Sequence, residues 1–169
     1  DGIRDPLVTG VQTCALPISF DLAALAEPLA CCINGYERGL MSPGKSVVIF
    51  GAGPIGMMLA SLAKIYEAST VIMIDPNTSR LKKARELGLA KYTLNPEKEN
   101  VVATVMKITK GFGAEMIFTA CPVIQTHELG IEMLSKRGVI NLFGGLPKSS
   151  PAISLLSNHI HYKEAYITG

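Results

Sequence analysis

The sequence predicts a doubly wound α/β domain, in which helices cover both faces of a parallel sheet. From Gly44 onward, short β-branched runs alternate with charged amphipathic segments every roughly 20 to 25 residues, which is typical of repeated βα units. The runs are apolar at successive positions, as expected for strands that are buried on both faces. A glycine-rich turn directly follows the first run, at the point where a strand would lead into a helix.

The strands and helices can be placed from local signals. We expect strands at 46–50, 70–74, 91–94, 115–119, 138–143 and 165–169. Residues that favour a first helical turn predict helix starts at Pro54, Asn77 or Thr78, Asn95-Pro96-Glu97, and Pro122. Glycines and cations that suit a helix C-terminus predict helix ends at Gly88, at Gly111, and at Lys136-Arg137-Gly138. A further helix is expected at 27–40, ahead of the sheet.

The composition describes one ordinary domain. The chain has 169 residues, of which 48% are hydrophobic and 18% charged, so it can bury a full core. Lys and Arg are scattered and the net charge is only +2, which argues against a nucleic-acid partner. The longest uncharged run, Ser46 to Ala63, is short for a membrane span and contains several glycines, so no membrane partner is expected.

Cysteine usage indicates a reducing compartment. Outside the first 18 residues the chain has Cys31, Cys32 and Cys121, without a C-x-x-C pair. An odd number of thiols suits a cytoplasmic protein better than a disulfide framework. We expect all three to be core thiols. The histidines form no catalytic or metal pattern and are expected to be structural or surface residues: His127, His159 and His161.

The first 18 residues differ from the rest of the chain. They show no hydrophobic period and join abruptly to well-patterned sequence. Val8 to Ile18 match the translation of a short-read sequencing adapter, and Asp1 to Asp5 match the part of the adapter upstream of a sample index. We therefore predict that residues 1–18 are non-native, that 19–169 form one domain, and that the chain is a gene fragment.

Two nucleotide-binding patterns lie almost next to each other. Gly39 to Ser46 match G-x-x-x-x-G-K-S/T, the phosphate loop of NTP-hydrolysing proteins, and Gly51 to Gly56 match G-x-G-x-x-G, a dinucleotide turn. A phosphate loop requires a strand before it and a helix after it, because loop amides and the helix N-terminus together face the phosphates. The first match has the reverse order, so we predict no phosphate binding there. A phosphate-loop ATPase is kept as an alternative for testing.

The second pattern follows the first strand and precedes a helix, as its mechanism requires. Gly51 is expected to permit the tight turn, Gly53 to let backbone amides approach a pyrophosphate, and Gly56 to let helix and strand pack closely. Pro54 and Ile55 then form the first helical turn beside the pyrophosphate. These residues are the predicted cofactor-binding turn of a Rossmann-type dinucleotide-binding domain.

Asp75 ends the next predicted strand, about 20 residues beyond the last glycine of the turn. A carboxylate at this position can accept hydrogen bonds from both hydroxyls of an adenosine ribose, and it repels a 2′-phosphate. The expected cofactor is therefore NAD rather than NADP.

With these residues in place, the chain resembles the coenzyme domain of the zinc-containing medium-chain alcohol dehydrogenases, in particular the sorbitol-like polyol dehydrogenases. The resemblance covers Phe20 to Gly169 and rests on the stretches "ALAEPLACCINGYERG", "SVVIFGAGPIG", "VIMIDPNTSRLKKARELG", "VINLFGGLP" and "HYKEAYITG". It implies that Arg80 contacts the adenosine ribose near Asp75. It also implies that two loops pass beside the nicotinamide, with the contributing residues Ala120, Gly144, Gly145 and Leu146.

The resemblance further implies a zinc-dependent oxidation of a polyol or secondary alcohol to a ketone, by hydride transfer to nicotinamide. Glu27 is implied to lie at the catalytic zinc, as a ligand or close to it. The remaining zinc ligands belong to a catalytic domain that the resemblance places outside this chain. We therefore expect no catalytic residue here and no turnover by the chain alone. The full-length enzyme is expected to be a cytoplasmic homo-oligomer.

Two alternatives stay open on the sequence. Another branch of the same superfamily, acting on threonine or on a sugar phosphate, fits the same cofactor residues. A non-catalytic dinucleotide-binding domain also fits them. A cysteine and a Gly-His-Glu segment in the upstream gene sequence would favour the enzyme over the non-catalytic domain.

Overall fold

The computed structural model describes residues 19–169, and the predicted adapter segment, 1–18, lies outside them. The strands of the described part are β1 Ser46–Phe50, β2 Thr70–Ile74, β3 Tyr92–Leu94, β4 Ala114–Thr119, β5 Leu134–Asn141 and β6 Tyr166–Thr168. The helices are α1 Phe20–Ala23, α2 Ala26–Arg38, α3 Pro54–Ile65, α4 Thr78–Glu86, α5 Val101–Ile108, α6 Ile124–Glu132 and α7 Ser157–His161. Within residues 19–169, no helix has both the length and the apolar character needed to cross a bilayer.

The strands form one sheet in the order β3-β2-β1-β4-β5-β6. All neighbouring strands run parallel. The order of the strands along the sheet reverses between β1 and β4, because β2 and β3 lie on one side of β1 and the later strands on the other. Open α/β sheets bind ligands at this reversal, beyond the carboxyl ends of the strands. The predicted doubly wound α/β fold is therefore confirmed.

Helices cover both faces of the sheet, and the strand residues divide between two cores. All five residues of β1 are buried. Val47 and Ile49 pack into a core with residues of α2 and α3, whereas Val48 and Phe50 pack into a core with residues of α5 and α6. Because successive side chains of a strand point to opposite faces, a continuous apolar run is what a strand covered on both sides requires.

Tyr36 joins α2 to the helix that follows the glycine-rich turn. Its hydroxyl donates a hydrogen bond of 2.6 Å to the Leu59 carbonyl oxygen in α3. The Tyr36 ring also packs against the rings of Tyr66 and Phe118, with centroid distances of 5.1 Å and 4.6 Å. Burial raises the pKa of this phenol far above its ordinary value, so the hydroxyl stays protonated and can donate. These contacts hold α3 in place on the sheet.

The helix after β3 was predicted to start at Asn95-Pro96-Glu97, and this prediction is wrong. α5 begins at Val101, and its N-cap Asn100 accepts a hydrogen bond of 3.0 Å from the Ala103 amide. Asn95 instead closes a turn, because its side-chain oxygen accepts a hydrogen bond of 2.9 Å from the Glu97 amide. Asn favours both helix caps and such turns for the same reason, which is that its side chain can replace a backbone acceptor.

The predicted helix end at Lys136-Arg137-Gly138 is also wrong. α6 ends at Glu132, and all three residues lie inside β5. A Cβ atom on Gly138 would lie 2.9 Å from the carbonyl oxygen of Ala114. This glycine therefore permits close approach of the β4 backbone, at a place where the pairing of β4 and β5 shifts register.

The other helix signals agree with the structure within three residues. Gly88 and Gly111 follow α4 and α5 with φ angles of +62° and +85°, which glycine adopts without strain. Asn77 caps α4 by accepting hydrogen bonds from two backbone amides. α6 begins at Ile124 rather than at Pro122.

Candidate dinucleotide-binding site

The phosphate-loop pattern lies between a helix and a strand, as predicted. α2 ends at Arg38 and β1 begins at Ser46. The Lys45 ammonium donates a hydrogen bond of 2.6 Å to the Leu40 carbonyl oxygen of the same segment. A phosphate loop needs a strand before it, a helix after it and a lysine directed at phosphate. This segment has the wrong order, and its lysine is already engaged.

Gly51 makes the turn at the end of β1. Its φ angle is +102°, and its amide donates a hydrogen bond of 2.8 Å to the Ile74 carbonyl oxygen at the end of β2. On the other side, the Ala120 amide donates a hydrogen bond of 2.8 Å to the Phe50 carbonyl oxygen. A Cβ atom on Gly51 would lie 2.9 Å from the Ala120 carbonyl oxygen. The turn is thus held between the ends of β2 and β4, where only glycine fits.

Gly53 and Gly56 serve different purposes. Gly53 precedes α3 in an extended conformation, and no atom lies within 4 Å of the position that a Cβ atom would take. A Cβ atom on Gly56 would overlap the carbonyl oxygen of Gly51, so this residue must be glycine for the helix to approach the turn. Pro54 occupies the first helical position, and Ile55 beside it is partly buried against the core. The open space at Gly53 faces the N-terminus of α3, where a pyrophosphate is favoured.

Asp75 lies at the carboxyl end of β2 and is 4% exposed. One of its oxygens, Oδ2, accepts a hydrogen bond of 2.7 Å from the Ala52 amide in the glycine-rich turn. The other oxygen, Oδ1, accepts a hydrogen bond of 2.7 Å from the Asn77 amide. Arg80, whose side chain is 58% exposed, places Nη1 3.8 Å from Oδ2. The structure thus brings Asp75 and Arg80 together beside the turn, and the contact of either residue with a ribose stays a prediction.

A cleft of about 430 Å³ adjoins Asp75 at the carboxyl edge of the sheet. One wall comes from Asp75, Pro76 and Arg80, after β2, and a second from Pro96 and Glu97, after β3. The opposite wall comes from the β4–α6 connection and the start of α6, with the residues Cys121, Val123, Gln125, Thr126 and Leu129. Apolar and polar groups therefore line a space that reaches Asp75.

A second cavity, of about 470 Å³, lies at the opposite edge of the sheet. Its walls include Ser46 and Thr70 at the starts of strands and Lys110 after the end of α5. Helix C-termini carry a partial negative charge, so this edge lacks the positive helix ends that favour a pyrophosphate. The cleft beside Asp75 is therefore the better candidate for a dinucleotide.

The loops after β4 and β5 meet, as expected for a nicotinamide site. The Gly144 amide donates a hydrogen bond of 2.7 Å to the Thr119 carbonyl oxygen, which places the second loop against Ala120. A Cβ atom on Gly144 would lie 2.9 Å from the Cys121 amide nitrogen. The neighbouring Gly145 has no atom within 4 Å of its Cβ position. Leu146, the next residue of this loop, is half-buried.

His127 is a buried histidine close to this loop. It lies on α6, is 3% exposed, and its Nε2 atom has no hydrogen-bond partner in the described part of the chain. Burial lowers the pKa of this imidazole, and a hydrogen bond to the Gly144 backbone partly opposes the shift. His127 is thus buried beside the loop that carries Gly144, a position that could not be predicted from the sequence, and its structural role stays a prediction.

Glu27 and Cys31 lie side by side on an exposed face of α2. The Cys31 thiol donates a hydrogen bond of 3.4 Å to Glu27 Oε1, which raises the pKa of the thiol. The prediction that Cys31 is a core thiol is wrong, whereas Cys32 is buried and Cys121 is half-buried. No group of three or more His, Cys, Asp or Glu residues within 19–169 could hold a metal ion. The described residues therefore do not form a zinc site by themselves, and the role of Glu27 stays a prediction.

The family model for zinc-binding dehydrogenases matches residues 54–169, from the first residue of α3 onward. The chain belongs to this family. The match covers most of the sheet and the loops after β2, β4 and β5, which carry the candidate site.

The relatives of this chain are named for several different substrates. It is similar to the sorbitol dehydrogenase of Halalkalibacterium halodurans, with 30% identity over 148 residues, which is 87% of this chain and 42% of that protein. It is also similar to the L-threonine 3-dehydrogenase of Pyrococcus horikoshii, with 35% identity over 127 residues, which is 75% of this chain and 36% of that protein. A crystal structure of a zinc-binding dehydrogenase from Sinorhizobium meliloti 1021 bound to NADP has a TM-score of 0.80 at 26% identity, covering 86% of this chain and 43% of that chain.

The chain thus spans about two-fifths of the length of the curated relatives it matches, 42% and 36% in the two cases above. The predicted resemblance to the medium-chain zinc dehydrogenases is confirmed, and so is the predicted fold. The relatives differ in the substrates for which they are named. What they share with this chain is the dinucleotide-binding fold of a zinc-binding dehydrogenase.

Proposed function

We propose that this chain is the NAD-binding part of a zinc-dependent dehydrogenase that oxidises a polyol or another secondary alcohol to a ketone. The observation that carries the proposal is the buried Asp75 carboxylate, which lies beside both the open space at Gly53 and the cleft of about 430 Å³. A dinucleotide needs these three features together, for its ribose, its pyrophosphate and its adenine.

The described residues supply binding and orientation rather than chemistry. The pyrophosphate would lie at Gly53 and the α3 N-terminus, and the adenosine ribose at Asp75 with Arg80 nearby. The nicotinamide would lie between the loops that carry Ala120 and Gly144, where backbone groups can orient its carboxamide. In a dehydrogenase of this kind the hydride passes from the alcohol carbon to the nicotinamide, so these loops fix one of the two reaction partners.

The substrate class is supported by what the relatives have in common. Sorbitol, L-threonine with its hydroxyl at C3, and butanediol, for which a 39% identical Neisseria gonorrhoeae relative is named, all carry a secondary alcohol. We propose that this chain belongs to a secondary-alcohol dehydrogenase of the polyol branch. The threonine branch and a sugar-phosphate branch stay as the alternatives, as does a non-catalytic domain. We expect the chain itself to produce no NADH from a polyol, and the whole enzyme to be a cytoplasmic homo-oligomer.

Dinucleotide binding is tested by titrating the fluorescence of NADH with the chain and with two variants of Gly53. Gly53→Asp and Gly53→Asn both place a favourable N-cap residue before α3, in a position with no atom within 4 Å, so neither should weaken folding. Asn adds bulk in the pyrophosphate space, and Asp adds the same bulk with a negative charge. We expect both to weaken NADH binding, and Asp to weaken it by about tenfold more than Asn.

Lys45→Ala is the matched control, because it alters the phosphate-loop pattern and leaves the glycine-rich turn intact. NADH binding should be unchanged in this variant. The proposal would be overturned if NADH bound equally well to Gly53→Asp, or if the chain bound ATP and lost it in Lys45→Ala.

The preference for NAD over NADP is tested with Asp75→Asn. This variant removes the negative charge and keeps one acceptor oxygen. Because NADH and NADPH are compared in the same variant, any effect on folding cancels in the ratio of the two dissociation constants. We expect the native chain to prefer NADH and the variant to lose roughly tenfold of that preference. An unchanged ratio would contradict the assignment of Asp75 to the ribose.

A further inference from the structure

The turn after β3 forms the outer wall of the cleft, and Asn95 fixes it there. Asn95 is 7% exposed, and its side-chain amide donates a hydrogen bond of 2.9 Å to the Pro76 carbonyl oxygen. Its side-chain oxygen accepts a hydrogen bond of 2.9 Å from the Glu97 amide. One buried side chain thus joins the turn that follows Asp75 to the turn that carries Glu97.

Three charged residues line the cleft within the described part of the chain, namely Asp75, Arg80 and Glu97. Arg80 Nη1 is 3.8 Å from Asp75 Oδ2, and both Asp75 oxygens also accept hydrogen bonds from backbone amides. These partners offset part of the negative charge of Asp75. Glu97 is exposed and has no ion-pair partner among residues 19–169. It is the uncompensated negative charge of the cleft.

Without Glu97 the balance of charge would be different. Helix α4 begins at Thr78, close to Asp75 in the chain, and Arg80 lies in its first turn. The N-terminus of this helix contributes a partial positive charge. Arg80 and this helix end would together offset part of the charge of Asp75, and the cleft would repel a phosphate group less strongly. The family includes a protein whose crystal structure is bound to NADP, so the choice between the two cofactors must be made by local residues of each chain.

We propose that Glu97 is a specificity-determining residue that disfavours a phosphate on the 2′-hydroxyl of the adenosine ribose, and that Asn95 is the positioning residue that holds it at the cleft. This inference rests on the proposed function, because it assumes a dinucleotide in the cleft. It adds a second determinant of cofactor choice, on the turn after β3, to the acid at the end of β2.

The effect should be moderate and should depend on salt. Glu97 is exposed, so its interaction with a phosphate is weakened by water and is screened over a distance of about 8 to 10 Å at physiological ionic strength. A single exposed charge acting on a phosphate under these conditions corresponds to a change in affinity of about threefold. The effect of the buried Asp75 charge on the affinity for such a ligand should depend much less on salt.

The test compares the native chain with Glu97→Gln, using NADH, NADPH and 2′-AMP as ligands at low and at high salt. We expect Glu97→Gln to tighten NADPH and 2′-AMP by about threefold relative to NADH at low salt. At about 1 M salt the difference should disappear. Glu99→Gln is the matched control, because Glu99 is an exposed acid two positions further on and accepts a hydrogen bond of 3.0 Å from Thr104 at the start of α5. It should change none of the three affinities.

A second pair of variants tests the role of Asn95. In an Asn95→Ala background the turn is released from Pro76, so adding Glu97→Gln should change the NADPH-to-NADH ratio by less than it does in the native chain. The inference is overturned if the native chain binds NADH and Glu97→Gln leaves that ratio unchanged at low salt. A native chain that binds neither dinucleotide overturns the proposed function instead, and this inference with it.

Discussion

The Asp75 carboxylate should stabilise the folded chain in the absence of any ligand. The variant Asp75→Ala measures this contribution to the free energy of unfolding. Both carboxylate oxygens accept backbone hydrogen bonds of 2.7 Å, one from Ala52 and one from Asn77. A hydrogen bond to a charged group contributes about 1.5–3 kcal/mol. The Ala52 amide is buried and would lose its partner, whereas water can replace the partner of the more accessible Asn77 amide. We therefore expect Asp75→Ala to lower the free energy of unfolding by about 3 kcal/mol.

Urea unfolding followed by circular dichroism measures this change, since the chain contains no tryptophan. The dependence of the unfolding free energy on urea should be similar in both proteins, because the exposed area hardly changes. Arg80→Ala is the control: its side chain is 58% exposed and 3.8 Å from the carboxylate, so it should cost less than about 0.5 kcal/mol. A loss below about 1 kcal/mol for Asp75→Ala would refute the view that this carboxylate holds the turn.

Three further outcomes are expected in the same assay. Gly56→Ala should lower the free energy of unfolding by about 1–3 kcal/mol, because the added methyl group would overlap the Gly51 carbonyl oxygen. A native-like free energy of unfolding would show that the turn can shift freely. Tyr36→Phe should cost about 1 kcal/mol through the lost hydrogen bond to Leu59, and no loss would mean that this bond does not hold α3. Burial lowers the pKa of His127 below its usual 6.5, so the unfolded chain takes up this proton first and stability should fall as the pH drops below 6.5. His127→Leu should reduce that fall, and an identical pH profile would count against the argument.

The parts of the fold that sequence predicted correctly are those set by periodic burial and by the order of elements. The run at 46–50 is apolar throughout, and β1 is buried throughout with alternate residues in two cores. The predicted order of elements is also correct, with a helix before and a strand after Gly39 to Ser46, and a strand before and a helix after the start of the Gly51 to Gly56 turn. Both conclusions depend on residues close together in the chain.

The errors lie where a local signal has two structural meanings. Asn95 followed by Pro96 predicts a helix start, yet the same asparagine side chain can close a turn and contact a distant backbone. Its partner, Pro76, is 19 positions away, so only the pairing of β2 with β3 reveals the contact. Cys31 is a similar case, because its exposure depends on which face of α2 meets the sheet. The positions of His127 beside Gly144 and of Glu97 at the cleft could not be predicted for the same reason.

The glycines of the candidate site divide into two groups, which separates folding from binding. Gly51, Gly56 and Gly144 are crowded by backbone atoms, so a side chain at any of them would disturb the protein itself. Gly53 and Gly145 have no atom within 4 Å of the Cβ position apart from those of adjoining residues, and neither has a left-handed backbone. Neither the packing nor the backbone conformation of the chain therefore requires a glycine at these two positions. Space left open next to a turn that is otherwise tightly packed is best explained by a ligand that fills it. Alanine at Gly53 or Gly145 should therefore change NADH binding with little change in unfolding, whereas alanine at Gly56 should change the unfolding itself.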